Sequence, residues 1–245
     1  MKTNLKKWLF SIIAVICLCT FGGVVTKLAY DFNTDMNQQK WYKDTAPKIT
    51  YDENEDNTDN GILDLILENA DCVGWVRIDN TKIDYPIMQT KDNPQYYLRR
   101  NFHKEYSYIG TPFVDAACDM ETSPNLIVYG HNMRDGTMFA ELLKYRQKDF
   151  GVNNPIIKLI TPTGCRRYVV IAVARVTSND AWYSYTDTVD ETIFGELKNH
   201  IESKSLYTIN GTMEYGDSFL TLSTCEYSQT DGRLIVIAKR SEGSC

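Results

Sequence analysis

The chain has 245 residues, 43% of them hydrophobic, enough for one substantial core plus an appendage but not for two large domains. Its net charge of −6 gives no electrostatic ground for binding nucleic acid, which calls for clustered positive charge.

Residues 8–25, WLFSIIAVICLCTFGGVV, form an uncharged run about long enough to cross a bilayer core of roughly 30 Å. Lys2, Lys6 and Lys7 precede it. The positive-inside bias then predicts a cytoplasmic N-terminus over 1–7, a single transmembrane signal anchor over 8–25, and everything after Lys27 outside the cell. A cleavable signal peptide shares the charged start. No small-x-small pattern follows the run, and Ile16 and Leu18 ahead of Cys17 and Cys19 make a poor lipoprotein site, so a retained anchor is the expectation. Residues 26–58 are polar and mostly acidic, a composition that predicts a linker or stalk, or a partly helical spacer. The remaining domain is expected over 59–245.

Asp59 is placed to cap a helix in which Ile62, Leu65 and Ile66 share a face, ending near Ala70. Strand signals follow over 73–78 and 82–88, joined by Asp79, Asn80 and Thr81 as a hairpin turn. They recur over 111–114, 125–129, 156–161, 167–176, 218–224 and 234–239. About eight short strands separated by turns predict a mainly β fold in a closed or nearly closed barrel. Two helices interrupt them, one over 137–148 and one over 191–203. The second is announced by the capping-box spacing of Thr188 and Glu191 and by a stripe of Ile193, Phe194, Leu197 and Ile201.

Cys17 and Cys19 fall in the apolar run, leaving Cys72, Cys118, Cys165, Cys225 and Cys245 in the exported part. Their number is odd and their spacing shows no CxxC or Cys/His ligand pattern, so neither a disulfide framework nor a metal site is legible. At least one thiol is expected to be free unless an intermolecular pair forms, and a free thiol outside the cell is open to oxidation.

Three histidines are available. His200 lies on the polar side of a helix and His103 among charged loop neighbours, where surface roles suffice. His131 follows the apolar strand 125–130 and precedes the turn NMRDG, which leaves it exposed enough to exchange protons while the strand fixes its position. Cys225 ends another strand: by period-2 alternation Phe219, Thr221, Ser223 and Cys225 share a face that grows more polar toward its end. A thiol near its reference pKa of about 8.5 is a poor nucleophile until a base or cation generates the thiolate, a task for His131. Arg233 opens the last strand, and if that strand neighbours the preceding one, its guanidinium returns beside Cys225, where it could hold a carbonyl and its developing oxyanion.

With those residues in view, the chain resembles the sortases, membrane-anchored cysteine transpeptidases of Gram-positive bacteria, and among them class B. The resemblance rests on TLSTC at 221–225 with Arg233 opening the next strand, and on YGHNMRDGTMF at 129–139. It extends to GWVRIDNTKIDYPIMQ at 74–89, DNPQYYL at 92–98 and GTPFVD at 110–115, and covers the exported domain from about Asp59 to Arg240. It implies an eight-stranded sortase β-barrel with N-terminal helices and a helix between strands 6 and 7, the place of residues 191–203. It also implies Cys225 as nucleophile, His131 as general acid/base and Arg233 as the group that positions substrate and stabilises the oxyanion, with Asn93, Tyr129, Ser223 and Glu226 lining the cleft. Segment 177–185 is expected to form the wall that reads the substrate. The implied partners are surface proteins bearing a C-terminal sorting motif and a peptidoglycan precursor or crossbridge amine. No cofactor or metal is implied.

Other readings remain open at this level. An L,D-transpeptidase also uses an exported cysteine with a histidine and an arginine, but a Ser-x-Gly-Cys motif is expected there and Thr224 precedes Cys225 here. A papain-like protease has cysteine before histidine, the reverse order. A pilin-polymerising sortase, or an inactive membrane-tethered binding domain on the same barrel, would share most of these features.

Overall fold

The computed structural model describes residues 2–50, 61–243 and 245. It begins with one helix, α1 (Lys2–Thr45), which contains a stretch long and apolar enough to cross a membrane. Its large apolar side chains, Phe10, Leu18 and Phe21 among them, are uncovered by the rest of the chain, as a surface destined for lipid would be. Past the apolar stretch the same helix meets the domain. Thr34, Gln38, Tyr42 and Thr45 recur at helical spacing and are buried. Gln38 Nε2 donates to the Gly110 carbonyl at 2.6 Å, the Tyr42 and Thr111 hydroxyls lie 3.0 Å apart, and Asp35 Oδ1 accepts from Ser107 Oγ at 2.8 Å. Trp41 stacks on Phe102 with ring centroids 4.5 Å apart. Of the segment 26–58, expected as a linker, stalk or partly helical spacer, the part as far as Thr45 is helical, and its last turns are docked on the domain. Its polar face hid this, because the contacts are hydrogen-bonded polar groups, which leave no apolar stripe in the sequence.

Asp59, the expected helix cap, lies outside the described residues. Helix α2 (Ile62–Glu68) starts from Gly61, whose φ of 74° and the Lys48 carbonyl oxygen 2.6 Å from where a Cβ would sit leave room for glycine alone.

The strands are β1 (Cys72–Arg77), β2 (Asp84–Met88), β3 (Phe113–Val114), β4 (Asn125–Tyr129), β5 (Ile156–Thr161), β6 (Gly164–Thr177), β7 (Ser205–Thr208), β8 (Phe219–Cys225) and β9 (Gly232–Arg240). Their order is β5-β1-β2-β3-β4-β8-β9-β6-β7, and the additional β5–β6 pairing closes the first eight into a barrel, leaving β7 as an extra edge strand. Strand β6 is long enough to do both: Gly164 to Val169 pair with β5, while Ala172 to Ala174 pair with β7.

The predicted helix over 137–148 is instead a 3-10 helix, Phe139–Arg146, followed by a separate short α3 (Lys148–Asn153). Gln147, extended at φ −95° and ψ 121°, divides them. Helix α4 (Glu191–Lys204) stands where it was expected, between β6 and β7, but its cap is Asp190, whose side chain accepts from Ile193 N at 2.9 Å. Thr188 bonds instead through its own N–H to Asp187, so the capping box does not form.

Alternation along β8 and β9 divides the core in two. Leu220, Leu222, Leu234 and Val236 fill the barrel with Val76, Leu126 and Val170. Phe219, Ile235 and Ile237 point outward and are covered by α4 and by the 3-10 helix Ala181–Ser184, through Phe194, Leu197, Ile201, Trp182 and Tyr185. Each such buried side chain contributes about 1.5–3 kcal/mol relative to exposure. A third cluster seats α2 and the end of α1 against Trp75, Met88 and Phe113. Cys165 is joined to Cys245 by a disulfide that ties the C-terminus to the start of β6, a pairing the cysteine spacing did not reveal.

Candidate active site

Strands β4 and β8 run parallel with Tyr129 opposite Ser223. Their pairing continues past the strand ends: Gly130 N donates to the Ser223 carbonyl at 3.1 Å, Thr224 Oγ1 to the Gly130 carbonyl at 2.8 Å, and Asn132 Nδ2 to the Cys225 carbonyl at 2.9 Å. Counting two residues on from the Tyr129–Ser223 pair places His131 level with Cys225. Glycine is required between Tyr129 and His131, since a Cβ on Gly130 would stand 2.5 Å from the Phe139 ring. On its other edge β8 is antiparallel to β9, with Cys225 directly opposite Arg233.

These three residues line one open cavity of about 500 Å³, together with Tyr129, Ser223, Asp115 and Tyr183. A cavity of about 580 Å³ elsewhere, between α1 and the β1–β2 hairpin, contains neither cysteine nor histidine, and its Arg77 is taken up by Asp84 and the Ala46 and Ile49 carbonyls.

His131 Nε2 lies 2.9 Å from the Leu98 carbonyl oxygen. A carbonyl only accepts, so in the neutral ring Nε2 carries the proton and Nδ1 is left as the basic atom. Burial of the ring holds its pKa below 6.5, with the nearby Arg99 charge acting the same way and the Leu98 bond opposing both. His131 is thus a neutral base at neutral pH. Arg233 Nη1 donates to the Gly232 carbonyl at 2.9 Å, and its other N–H groups meet no carboxylate among the described residues. A thiol, a neutral imidazole and an uncommitted guanidinium in one cleft can form a covalent acyl intermediate, move its protons and hold its oxyanion.

The cavity floor is built from neutral donors. Tyr183 and Ser223 share a hydrogen bond of 2.7 Å, and Tyr129 donates to Asp115 Oδ2 at 2.8 Å. Burial pushes the Tyr183 phenol up to about 12, and burial together with Asp115 pushes Tyr129 up further, so both remain protonated. Segment 177–185 supplies Ser178, Asn179 and Tyr183 to the wall. Of the four predicted cleft residues, Tyr129 and Ser223 line the cavity, while Asn93 and Glu226 do not. Asn93 is exposed at the turn that presents Pro94 and Gln95, its carbonyl accepting from Thr90 Oγ1 at 2.7 Å. Glu226 is buried and turned away: it accepts from Ser228 N at 3.1 Å and pairs with Arg146 at 3.5 Å, fixing the loop after β8 to the 3-10 helix. Sequence reasoning assigned no roles to Asp115, Tyr183, Leu98 or Asn132. All four stood in stretches already singled out, Leu98 in DNPQYYL, Asn132 in YGHNMRDGTMF, Asp115 in GTPFVD and Tyr183 in 177–185, but each acts through a main-chain carbonyl or a neighbour's hydroxyl, which leaves no motif for the individual residue.

The model of the sortase domain matches residues 76–241. Sortase B of Listeria monocytogenes is 33% identical over 244 residues, covering 96% of this chain and 98% of that protein. The crystal structure of sortase B from Bacillus anthracis in complex with AAEK1 superposes with a TM-score of 0.74 at 31% identity, covering 87% of this chain and 99% of that one. A Staphylococcus aureus sortase B–substrate complex gives 0.69 at 26% identity, covering 89% and 98%. The chain belongs to the sortase family, in its class B. Sortases are cysteine transpeptidases, and at the level of the family that activity is this chain's.

Proposed function

We propose that this protein cleaves a C-terminal sorting signal after a threonine and transfers the surface protein that bears it to a peptidoglycan amine. The observation that carries the reading is the convergence of Cys225, His131 and Arg233 on one cleft, with Cys225 and Arg233 as a cross-strand pair. The Cys225 thiol gives its proton to His131 and attacks the threonine carbonyl. Arg233 donates to the oxyanion as the tetrahedral intermediate forms. The imidazolium protonates the departing amine, the C–N bond breaks, and a thioester to Cys225 remains. An incoming amine then attacks the thioester, loses a proton to His131, and expels the Cys225 sulfur. The thioester preserves the acyl group's reactivity until that amine arrives, which suits transfer rather than hydrolysis. Tyr129, Ser223 and Tyr183 shape the acyl-donor side of the cleft, and Asn93 acts at its rim.

In this reading α1 is a retained anchor with residues 1–7 in the cytoplasm, and the barrel stands outside the cell, where both substrates emerge. The test is incubation of the full chain in detergent with a panel of Asn-Pro-x-Thr and x-Pro-x-Thr-Gly peptides and amine acceptors, followed by mass spectrometry. An acyl adduct on Cys225 and an amine-linked product are expected. Cleavage that persists in Cys225→Ala, or a wild type that no peptide acylates, overturns the mechanism and leaves a binding domain on the same barrel.

A further inference from the structure

Beside the cleft the surface changes character. Arg99 and Arg134 are exposed and meet no carboxylate among the described residues, whereas Arg77, Arg146 and Arg166 each hold one. The Arg99 guanidinium lies 4.6 Å from the centre of the Tyr108 ring, and its Nη1 donates to the Tyr108 carbonyl at 2.6 Å. Tyr108 is 55% exposed and Tyr227, two residues past Cys225, 77%. Arg99 follows Leu98, whose carbonyl oxygen lies 2.9 Å from His131 Nε2, while Arg134 stands three residues past His131. None of Arg99, Tyr108, Arg134 and Tyr227 lines the cleft itself. The patch is also fastened in place: Asp35 of α1 accepts from Tyr108 N at 3.1 Å, and Asn132, between His131 and Arg134, holds the Cys225 carbonyl.

A chain of net charge −6 has no compositional reason to gather guanidinium groups without a carboxylate partner, and exposed phenols, at one edge of its reactive centre. Free guanidinium forks bind carboxylate and phosphate, and exposed tyrosines supply flat contact at low entropic cost. Transfer needs a second substrate whose amine reaches the thioester beside its base, and this edge is where Arg99 flanks His131.

We propose that Arg99, Tyr108, Arg134 and Tyr227 form the subsite for the acceptor, an amine whose molecule also carries an oxyanion, carboxylate or phosphate. The inference rests on the transpeptidase reading above. In the step it serves, the acceptor nitrogen bonds to the thioester carbon, the C–S bond breaks with its electron pair returning to the Cys225 sulfur, and the ammonium proton passes to His131.

The test uses the full chain in detergent, acylated on Cys225 by the best sorting peptide, and one short peptide amine in three forms: a C-terminal amide, a free C-terminal carboxylate, and an amide ending in phosphoserine. Mass spectrometry follows the rate of thioester aminolysis. The wild type is expected to prefer one or both anionic forms over the amide by about tenfold in kcat/KM, and Arg99→Gln with Arg134→Gln to reduce that ratio to near one. Which anionic form is preferred tells a peptide carboxylate from a phosphate-bearing acceptor. The ratio is insensitive to any change the variant makes in His131. Should the double variant fail to be acylated, Arg134→Gln alone is read in the same way. Equal rates for all three acceptors in the wild type, or a preference that survives substitution, overturn the subsite while leaving the transpeptidase standing. A wild type that forms no thioester overturns both.

Discussion

Cys225 and Arg233 face each other across the β8–β9 pair as the last partners of a register that starts at Phe219 and Lys239. Directly opposed residues in an antiparallel pair share a face with Cβ atoms about 4.5–5.5 Å apart, so the backbone ladder, rather than the loop between them, sets the guanidinium beside the sulfur. The loop is anchored separately, with Glu226 N donating to the Gly232 carbonyl at 2.9 Å.

Arg233→Ala is expected to slow acylation of Cys225 by about 10²–10³-fold, the cost of removing one preorganised oxyanion donor. Arg233→Lys should recover little, because an ammonium cannot reproduce the forked geometry. The melting temperatures of both should stay near that of the wild type. Arg233 lies at a strand end with its head in the open cleft, so wholesale unfolding of either variant would assign it a structural role instead.

His131 carries a signed expectation. Its folded pKa lies below 6.5, so the folded protein binds this proton less readily than the unfolded chain. The stability that follows is complete above the ordinary histidine range and is lost as pH falls through it. For activity, the acid limb of kcat/KM for acylation should fall at a lower pH than an unperturbed imidazole would give. Burial is the main cause and the Arg99 charge adds to it, so Arg99→Gln should move both that limb and the His131 ring titration, followed by NMR, to higher pH. A limb that stays put while the NMR titration moves would dissociate His131 from the rate.

Thiol reactivity separates the cysteines. Burial pushes Cys72 up to about 12 and Cys118 up to about 11, and Cys165 is bonded to Cys245. Cys225 alone among the described free thiols of the domain reaches an open cavity. Brief treatment of the native protein with iodoacetamide at neutral pH should modify Cys225 and spare Cys72 and Cys118, with peptide mapping as the readout, and modification should abolish acylation by substrate. Equal labelling of all three would mean that burial is not protecting the other two.

The number of short strands between turns made the barrel legible and alternation made the faces of β8 legible, while the meeting of Cys225 with Arg233 followed once the two strands around the loop 226–232 were taken as neighbours. The seat of His131 was legible only as far as the strand that ends before it, because its Leu98 partner is a main-chain carbonyl 33 residues away. Glu226 was named for the cleft by the family resemblance alone; in the structure Ser228 and Arg146 draw it inward, a placement that depends on partners the sequence around it does not announce. The docked end of α1 escaped notice because Asp35, Gln38 and Thr45 look solvated until their partners on the barrel are known.

Trp182 is wholly buried beneath the wall that carries Tyr183, its Nε1 donating to Thr221 Oγ1 at 3.0 Å, and Thr221 in turn donates to Asn125 Oδ1 at 2.8 Å. Trp182→Ala should destabilise the domain by about 3–5 kcal/mol in denaturant unfolding. Trp182→Phe keeps most of the volume and loses the hydrogen bond, so a cost nearer 1–2 kcal/mol is expected, with peptide affinity reduced more than the acylation rate. A Phe variant as unstable as the Ala variant would place the polar chain, not the ring, at the centre of the wall's stability.

Helix α1 is continuous from the apolar stretch to Thr45, and its first side-chain contacts with the domain come from Thr34, Asp35 and Gln38. At 1.5 Å per residue Asp35 lies about 15 Å beyond Val25, so a membrane-embedded α1 would hold the catalytic cleft at a set height on a stiff stem. Seven alanines inserted after Leu28 keep the helical phase to within about 20° and lengthen the stem by about 10 Å. With Cys17 and Cys19 replaced by serine and a fluorophore on Cys225, energy transfer to headgroup-labelled lipid in vesicles should report a retreat of the cleft by up to that distance, and a Gly-Pro-Gly insertion at the same place should broaden the distribution instead. Turnover of a soluble peptide by the unlabelled proteins should be the same for both insertions, because neither touches the residues from Thr34 onward that hold α1 to the barrel. An unchanged distance after the alanine insertion would mean that the stem bends at the membrane and does not fix the height of the cleft.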